Sequence, residues 1–320
     1  MREVVQRRWV VLHADDFGMN AAVNAGILQS FRDGLLTSTS LLANAPAAAA
    51  ACHAWPQLIV DLRAGAIASA PRRAQLGDDL SPFDLGIHLN LTQGHPLSAN
   101  YPSELLNDRG EFPGIGPVFR QLRSVRSRFR NAVLTELQSQ IEWMLDHDVS
   151  PTHLNGHQYV ELMPCVVELI PLLTAKYSIP VVRVAHEPHL AQTVLLEGRV
   201  VPFAIALIKR HYARRMQRLE SVRELSAPMR FFGTAHAGLV TRPMLERFLR
   251  CSSPRGCTEI GLHPATAPQS DARLSGDEWF DPLAALRPNE LQWLCDHSTA
   301  EVIASHGLSL GRLSQIVEPT

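Results

Sequence analysis

The segment "WVVLHADDFG", residues 9–18, points to both the fold and the place of the chemistry. Its first four residues are apolar, as in a buried strand, and two adjacent carboxylates, Asp15 and Asp16, follow where that strand would end. Like charges in a poorly hydrated place raise each other's pKa, unless a positive group lies between them or one carboxylate stays protonated. The pair therefore predicts a cation held at the end of the first strand.

The composition is that of a globular protein without a strong overall charge. The chain has 320 residues, 46% of them hydrophobic, and a formal net charge of −1, so nucleic acid is not an expected partner. Its five cysteines form no Cys-x-x-Cys pair, which argues against a thiolate zinc site and favours a reducing, cytoplasmic setting. The apolar run near the N-terminus is too short for a signal peptide, and no run of about 18 apolar residues predicts a membrane span.

Short apolar runs alternate with longer helical patterns along the chain. We expect strands at 9–13, 35–44, 83–92, 151–155, 180–185, 228–234, 257–262 and near 300–304, and helices at 20–32, 46–54, 131–147, 163–177, 242–250 and 286–297. This alternation predicts an α/β fold with a parallel sheet, and so many units favour a barrel with its chemistry at the C-terminal strand ends. We expect one domain over residues 1–320, with insertions near 61–82 and 190–227.

Polar residues recur where these strands would end. Besides the carboxylate pair, they are His13, His88, His153, Asn155, His157, Arg183, Glu187, Glu259 and His263. Taken singly, each has a plainer interpretation: a lone histidine is commonly structural, and Asp16 could cap the next helix. Together, imidazoles that face a carboxylate pair predict a catalytic divalent metal with an open position for water.

Six short segments, taken in order, make the sequence recognisable. They are "ADDFG" with "NAGI", "GLLTSTSLLAN", "GIHLNLTQGHPL", "PTHLNGHQ", "VVRVAHEP" and "EIGLHPA". The sequence thereby resembles the YdjC-like family of carbohydrate deacetylases from residue 13 to about residue 297, apart from the two insertions. The resemblance implies a distorted (β/α) barrel of the glycoside hydrolase/deacetylase type, with one divalent metal ion, Mg or Zn.

The same resemblance implies roles for five residues. Asp16, His88 and His157 would hold the metal ion. Asp15 would be the general base and His263 the general acid, a role that suits an imidazole with a pKa near neutrality. The products would be acetate and a free amino sugar.

One stretch, "NGHQYVELMP" at residues 155–164, departs from the family pattern. Asn155 stands where the family has an aspartate, and Gln158, Tyr159 and Glu161 stand where further histidines often occur. We therefore expect metal binding to be kept and the contacts with the sugar to differ from those of enzymes acting on chitobiose-type substrates.

Four residues are candidates for substrate binding: Asn155, Tyr159, Arg183 and Glu187. Tyr159 could stack on a pyranose ring or be a buried structural residue. Arg183 could instead pair with a carboxylate of the first strand, or merely bridge to Glu187.

The predicted function is metal-dependent removal of the N-acetyl group from an acetylated amino sugar, either lipid-linked or part of a glycan precursor. The alternatives are a soluble chitooligosaccharide deacetylase, a non-catalytic sugar-binding barrel, and a metal-dependent phosphoesterase. Residues 190–227 contain the apolar "VVPFAIALI" followed by the basic "KRHYARRMQRLESVR". Such a helix can contact an anionic membrane, or it can be a lid or homodimer helix whose apolar side packs on the barrel.

Overall fold

The computed structural model describes residues 8–64, 83–124, 127–194, 197–223, 225, 230–254, 256–267 and 279–316. The strands in these ranges are β1 (Arg8–Phe17), β2 (Ser38–Leu41), β3 (Asp84–Leu89), β4 (His153–Gly156), β5 (Val181–Val182), β6 (Arg230–Phe232), β7 (Gly256–Leu262) and β8 (Ser309–Leu310). The α-helices are Ala21–Arg32, Ala48–Arg63, Ile115–Leu122, Arg130–Leu145, Pro164–Val167, Ile170–Tyr177, Leu190–Thr193, Val200–Gln217, Glu220–Arg223, Arg242–Arg250, Arg287–Leu294 and Ser298–Ser305. Short 3-10 segments are Ser103–Leu105, His157–Leu162 and Ser314–Ile316.

The described strands form one parallel sheet that curls toward a barrel. Their order is β5-β4-β3-β2-β1-β7-β6, and β8 pairs with the first half of β1. The backbone N–H of Phe231 in β6 donates to the carbonyl of His186, just after β5, at 3.4 Å. This bond brings the two edge strands of the sheet together, and the predicted α/β barrel is confirmed.

Alternate residues of β1 face opposite sides of the sheet. Val10 and Leu12 belong to the main core, whereas Val11 belongs to a smaller apolar cluster. The members of that cluster are Val11, Val181, Cys257 and Leu313. Since strand side chains alternate, His13 and Asp15 follow Val11 on the inner face. The barrel interior is therefore apolar toward the N-terminal ends of the strands and polar toward their C-terminal ends.

Gly86 in β3 leaves space for a layer of imidazoles inside the barrel. A Cβ atom at this position would lie 2.3 Å from Nε2 of His153, so a larger residue would displace that ring. The His153 ring packs edge-on against His13, with centroids 4.9 Å apart. Nε2 of His13 lies 3.2 Å from Oδ1 of Asp15, so this pair of rings lies directly next to the first carboxylate of β1.

Two secondary-structure predictions were wrong. Residues 300–304, predicted as the last strand, lie in helix Ser298–Ser305, where the buried Ala300 and Ile303 have helical spacing. The predicted helix 163–177 is divided into Pro164–Val167 and Ile170–Tyr177. Because Pro171 lacks an N–H group, it cannot bond to the carbonyl of Val167, and the helix is interrupted.

The two predicted insertions are only partly described. Helix Ala48–Arg63 runs into the first of them, and residues 65–82 lie outside the described ranges. The second contains helices Leu190–Thr193, Val200–Gln217 and Glu220–Arg223. In the part of the chain that is described, no helix combines the length and apolarity needed to cross a bilayer.

Candidate active site

Three side chains converge at the C-terminal edge of the sheet. Asp16 lies in β1, His88 in β3, and His157 directly after β4. Oδ1 of Asp16 lies 2.9 Å from Nδ1 of His157 and 3.6 Å from Nε2 of His88. One ligand atom from each residue lies within 4.8 Å of the other two, and all three side chains are buried. The structure thus brings together the three predicted metal ligands.

An irregularity in β1 directs two successive carboxylates to the same side of the strand. The register with β2 shifts after Ala14, and Asp16 has a φ of 71°. In a regular strand, neighbouring side chains point to opposite faces. The left-handed conformation, which aspartate tolerates better than most residues, turns Asp16 toward the side of Asp15. Asp16 could also have capped the next helix, but the side chain of Asn20 caps helix Ala21–Arg32 instead.

Asp16 is held as a carboxylate by a buried arginine. Nη2 of Arg287 lies 2.7 Å from Oδ2 of Asp16, and Nε of Arg287 lies 2.7 Å from Oδ2 of Asp281. Burial alone would raise the pKa of Asp16, but Arg287 and His157 hold it well below its usual value. One oxygen of Asp16 therefore faces Arg287 and the other faces the two histidines.

Asp15 is ionised for a similar reason. Nη1 of Arg183 lies 2.8 Å from Oδ1 and 2.9 Å from Oδ2 of Asp15. Burial acts to raise the pKa of Asp15, yet the charges of Arg183 and His88 hold it well below its usual value. Nε of Arg183 donates to Oε1 of Glu259 at 2.7 Å. Of the pairings considered for Arg183, the structure contains the one with Asp15.

His263 follows β7 and faces the same carboxylate. Its Nε2 lies 3.9 Å from Oδ2 of Asp15, and its backbone N–H donates to Oε2 of Glu290 at 2.5 Å. Burial lowers the pKa of His263 to about 4, although the charges of Asp16 and Asp15 act in the opposite direction. The imidazole is therefore neutral at pH 7.

Asn155 connects a predicted metal ligand to the predicted base. It is fully buried, and its Oδ1 lies 2.6 Å from Nδ1 of His88 while its Nδ2 donates to Oδ1 of Asp15 at 3.3 Å. Since an amide oxygen only accepts, the arrangement places a proton on Nδ1 of His88 and leaves Nε2 as the nitrogen that faces Asp16. Asn155 thus fixes the orientation of the His88 ring.

The remaining two substrate-binding candidates lie beside helices Val200–Gln217 and Leu190–Thr193. Tyr159 is half-buried, and Nζ of Lys209 lies 3.9 Å from the centre of its ring. Glu187 is buried, and its carboxylate accepts hydrogen bonds from Thr193 and Thr234. These bonds hold Glu187 with the threonines, and the structure does not pair it with Arg183 or with the carboxylates of β1.

Sequence reasoning missed two residues that support the site, Arg287 and Glu290. Both lie in helix Arg287–Leu294, one turn apart, where they bind Asp16 and the backbone of His263, respectively. An arginine and a glutamate three residues apart are common on helices of every kind. The sequence therefore contains no specific signal for either role.

Glu161 is a further buried acid near the site. It is fully buried, and neither carboxylate oxygen has a hydrogen-bond partner among the described residues. Burial raises its pKa to about 8, against the opposing charge of Arg183. Glu161 is therefore mostly protonated at pH 7.

The three converging side chains fit a divalent metal ion. Nε2 of His157 is buried and has no hydrogen-bond partner in the described part of the chain. Nδ1 of His88 is engaged by Asn155, and Nε2 is the ring nitrogen of His88 that faces Asp16, at 3.6 Å. Two imidazoles and one carboxylate are a common protein ligand set that leaves positions open for water and substrate.

Comparison with known protein families matches residues 9–305 to the family described as YdjC-like protein. The chain belongs to the YdjC-like family. Because the match spans almost the whole chain, the resemblance inferred from the short segments is confirmed.

Relatives of this YdjC-like chain include carbohydrate deacetylases. It is 35% identical to the carbohydrate deacetylase of Geobacillus stearothermophilus over 189 residues, which is 58% of this chain and 64% of that protein. It is 29% identical to the carbohydrate deacetylase of Clostridium beijerinckii over 172 residues, 54% of this chain and 58% of that protein. The chain thus matches less than two thirds of the length of these relatives.

The fold similarity extends further than the sequence similarity. A crystal structure described as a candidate cellobiose-phosphate cleavage protein of Enterococcus faecalis superposes with a TM-score of 0.65 at 19% identity. The superposition covers 97% of this YdjC-like chain and 99% of the other. It supports the curled parallel sheet with outer helices as the fold.

Proposed function

We propose that this protein is a metal-dependent hydrolase that removes the N-acetyl group from an acetylated amino sugar. The observation that carries the proposal is the convergence of Asp16, His88 and His157 within 4.8 Å, next to Asp15 and His263. Membership of the YdjC-like family and the carbohydrate deacetylases among the relatives support the same reaction class.

Asp16, His88 and His157 would hold the divalent ion. When bound, such an ion lowers the pKa of a water molecule and polarises the acetamide carbonyl. Magnesium prefers oxygen ligands, whereas imidazole suits zinc and similar metals. Of the two candidates, Mg and Zn, the pair of imidazoles favours Zn.

Asp15 would be the general base. Its carboxylate accepts a proton from water while the water oxygen bonds to the acetyl carbonyl carbon. The carbon–nitrogen bond then breaks, and the nitrogen takes a proton from His263. The products are acetate and the free amino group of the sugar.

The proton that His263 donates would come from within the site, because the imidazole is neutral at pH 7. Oδ2 of Asp15 lies 3.9 Å from Nε2 of His263, so the proton taken from water has a short path to the imidazole. Arg183 holds the pKa of Asp15 low, which favours release of that proton. In this account Asp15 and His263 act in sequence on the same proton.

The four substrate-binding candidates divide by exposure. Tyr159 is half-buried and follows His157 closely, so we propose that it contacts the sugar. The other three candidates are at most 1% exposed: Asn155, Arg183 and Glu187. We propose that they position the residues that contact the sugar. The substrate is proposed to be lipid-linked or a glycan precursor, with a soluble chitooligosaccharide as the alternative.

We also propose a cytoplasmic location and peripheral contact with an anionic membrane. The free state of all five cysteines supports a reducing compartment. The membrane contact would involve helix Val200–Gln217, which packs on the segment His157–Leu162.

The test is acetate release from a panel of acetylated amino sugars, both free and polyisoprenyl-phosphate-linked, by the metal-loaded protein and by Asp15→Asn. Release by the wild type and its loss in the variant would support the proposal. Sugar binding without acetate release by the wild type would instead assign the non-catalytic alternative, and phosphate release from phosphorylated sugars would assign a phosphoesterase.

A further inference from the structure

Large exposed apolar side chains are concentrated on one helix, Val200–Gln217. Of eleven such residues in the described part of the chain, five lie in its first nine positions. They are Val200 (64% exposed), Val201 (70%), Ile205 (48%), Leu207 (44%) and Ile208 (56%). The other six are spread over separate elements. A patch of this kind on a soluble domain commonly marks a contact surface.

The exposed residues share one side of the helix, and the other side is fixed to the barrel. Ala206, Ala213 and Met216 are buried, and Nζ of Lys209 donates to the carbonyl of Thr234 at 2.8 Å. At 3.6 residues per turn, Ala206 and Ala213 lie across the helix from Ile208, and Lys209 and Met216 lie at the edge of the patch, next to Ile205. The apolar patch therefore faces outward and is not the surface that packs on the barrel. This contradicts the interpretation of the helix as a lid whose apolar side packs on the barrel.

The same outer surface becomes basic toward the C-terminal end of the helix. His211, Arg214 and Arg215 are exposed, and Arg218 follows directly after the last turn. The helix contains no aspartate or glutamate. Apolar residues are thus continued by cations on a single face, a pattern typical of helices that lie in a membrane interface.

We propose that this outer face of helix Val200–Gln217 docks on an anionic lipid bilayer. Its apolar half enters the boundary between head groups and acyl chains, and its arginines contact lipid phosphates. A second copy is a poorer partner for this face. Antiparallel pairing in a two-fold dimer would set arginines against apolar residues, and parallel pairing would set arginines against arginines.

The docked helix would also place the active site next to the bilayer. Its inner side packs on the segment His157–Leu162, which begins with a predicted metal ligand, and Lys209 covers the ring of Tyr159. This part of the inference rests on the proposed function. It names the source of the substrate, an acetylated amino sugar carried by a membrane lipid, which would reach the site without leaving the interface.

The docking is tested by co-sedimentation with vesicles of phosphatidylcholine alone or mixed with phosphatidylglycerol. We expect the wild type to bind only the anionic vesicles, with binding that weakens as salt increases. Ile205→Asp with Ile208→Asp should abolish binding. Arg214→Ser, Arg215→Ser and Arg218→Ser together should weaken it roughly 100-fold, since each arginine contributes separately at an anionic surface.

The matched control is Leu172→Asp, because Leu172 is 47% exposed on a different helix, Ile170–Tyr177. It should bind vesicles like the wild type, and circular dichroism should show all variants folded. No wild-type binding to anionic vesicles, or equal binding by wild type and both variants, would overturn the proposal. A dimer in solution that Ile205→Asp with Ile208→Asp dissociates would assign the face to a second copy.

Acetate release from a soluble acetylated disaccharide separates this inference from the proposed function. The Ile205→Asp, Ile208→Asp variant should keep turnover of the soluble substrate and lose turnover of a vesicle-embedded lipid-linked one. Equal loss on both substrates would contradict an interfacial role. Absence of turnover in the wild type, with vesicle binding intact, would refute the proposed function and leave the docking standing.

Discussion

Arg287 binds the oxygen of Asp16 that the two histidines leave free. Nη2 of Arg287 lies 2.7 Å from Oδ2, whereas His157 and His88 approach Oδ1. The arginine comes from the far end of the chain, yet it fixes which oxygen is available to a metal ion. Groups that orient a metal ligand in this way commonly matter almost as much as the ligand itself.

Arg287→Met should therefore weaken metal binding without removing a ligand. We expect the affinity for Zn²⁺, measured by competition with a chelating dye, to fall by about 10–100-fold. Arg242→Met is the control, because Arg242 forms an ion pair with Asp296 at the surface. Unchanged affinity in Arg287→Met would show that this arginine serves stability alone.

Asp15→Asn and His263→Ala should separate proton transfer from metal binding. Neither residue is among the three side chains proposed to hold the metal ion, so the metal content should stay near that of the wild type. The kcat for deacetylation should fall by about 10²–10⁴-fold, the usual contribution of a positioned acid or base. Normal turnover in either variant would show that the roles have been assigned to the wrong residues.

Arg183→Met should shift the pH dependence of kcat/KM. Burial acts to raise the pKa of Asp15, and Arg183 holds it low; without the arginine, this pKa should rise. Asp15 would then be protonated, and inactive as a base, at a higher pH than in the wild type. The acidic limb of the profile should therefore move to higher pH. If it does not move, Asp15 is not the base whose pKa Arg183 lowers.

Glu161 should make the fold less stable as the pH rises. Burial raises its pKa from 4.5 to about 8, so the folded state binds more protons than the unfolded state between these values. The stabilisation is complete below about pH 4.5 and is lost as the pH approaches 8, a change on the order of a few kcal/mol.

Chemical denaturation at about pH 5 and pH 8 measures this dependence. The fall in the free energy of unfolding should be smaller in Glu161→Gln, whose side chain does not titrate, than in the wild type. Glu301→Gln, at an exposed position, should retain the wild-type fall. An identical fall in Glu161→Gln would show that another group causes it.

The fold and the centre of the site could be read from the sequence because their signals are local. Asp15, Asp16, His88 and His263 each follow or end a short apolar strand, and parallel strands end at one edge of a barrel. That placement was enough to predict that they meet. The last strand was misplaced because a short apolar run near residue 300 suits a strand or a buried helix equally well.

The supporting residues could not be predicted because their roles depend on tertiary contacts. Arg287 and Glu290 lie in a helix with no distinctive motif, and only folding places them beside Asp16 and His263. The left-handed backbone conformation of Asp16 turns both carboxylates to one side, and no sequence pattern indicates it. In the same way, the two faces of helix Val200–Gln217 could be assigned only from the contacts of its inner side.

The metal content of His157→Ala shows directly whether Asp16, His88 and His157 hold one metal ion. The wild type, His157→Ala and the control His53→Ala, which removes an exposed histidine, would be loaded with Zn²⁺, desalted and measured by elemental analysis. We predict about one metal ion per chain in the wild type and the control. His157→Ala should retain far less metal and lose acetate release by orders of magnitude. Full metal stoichiometry in His157→Ala would contradict the assignment of the Asp16, His88 and His157 site.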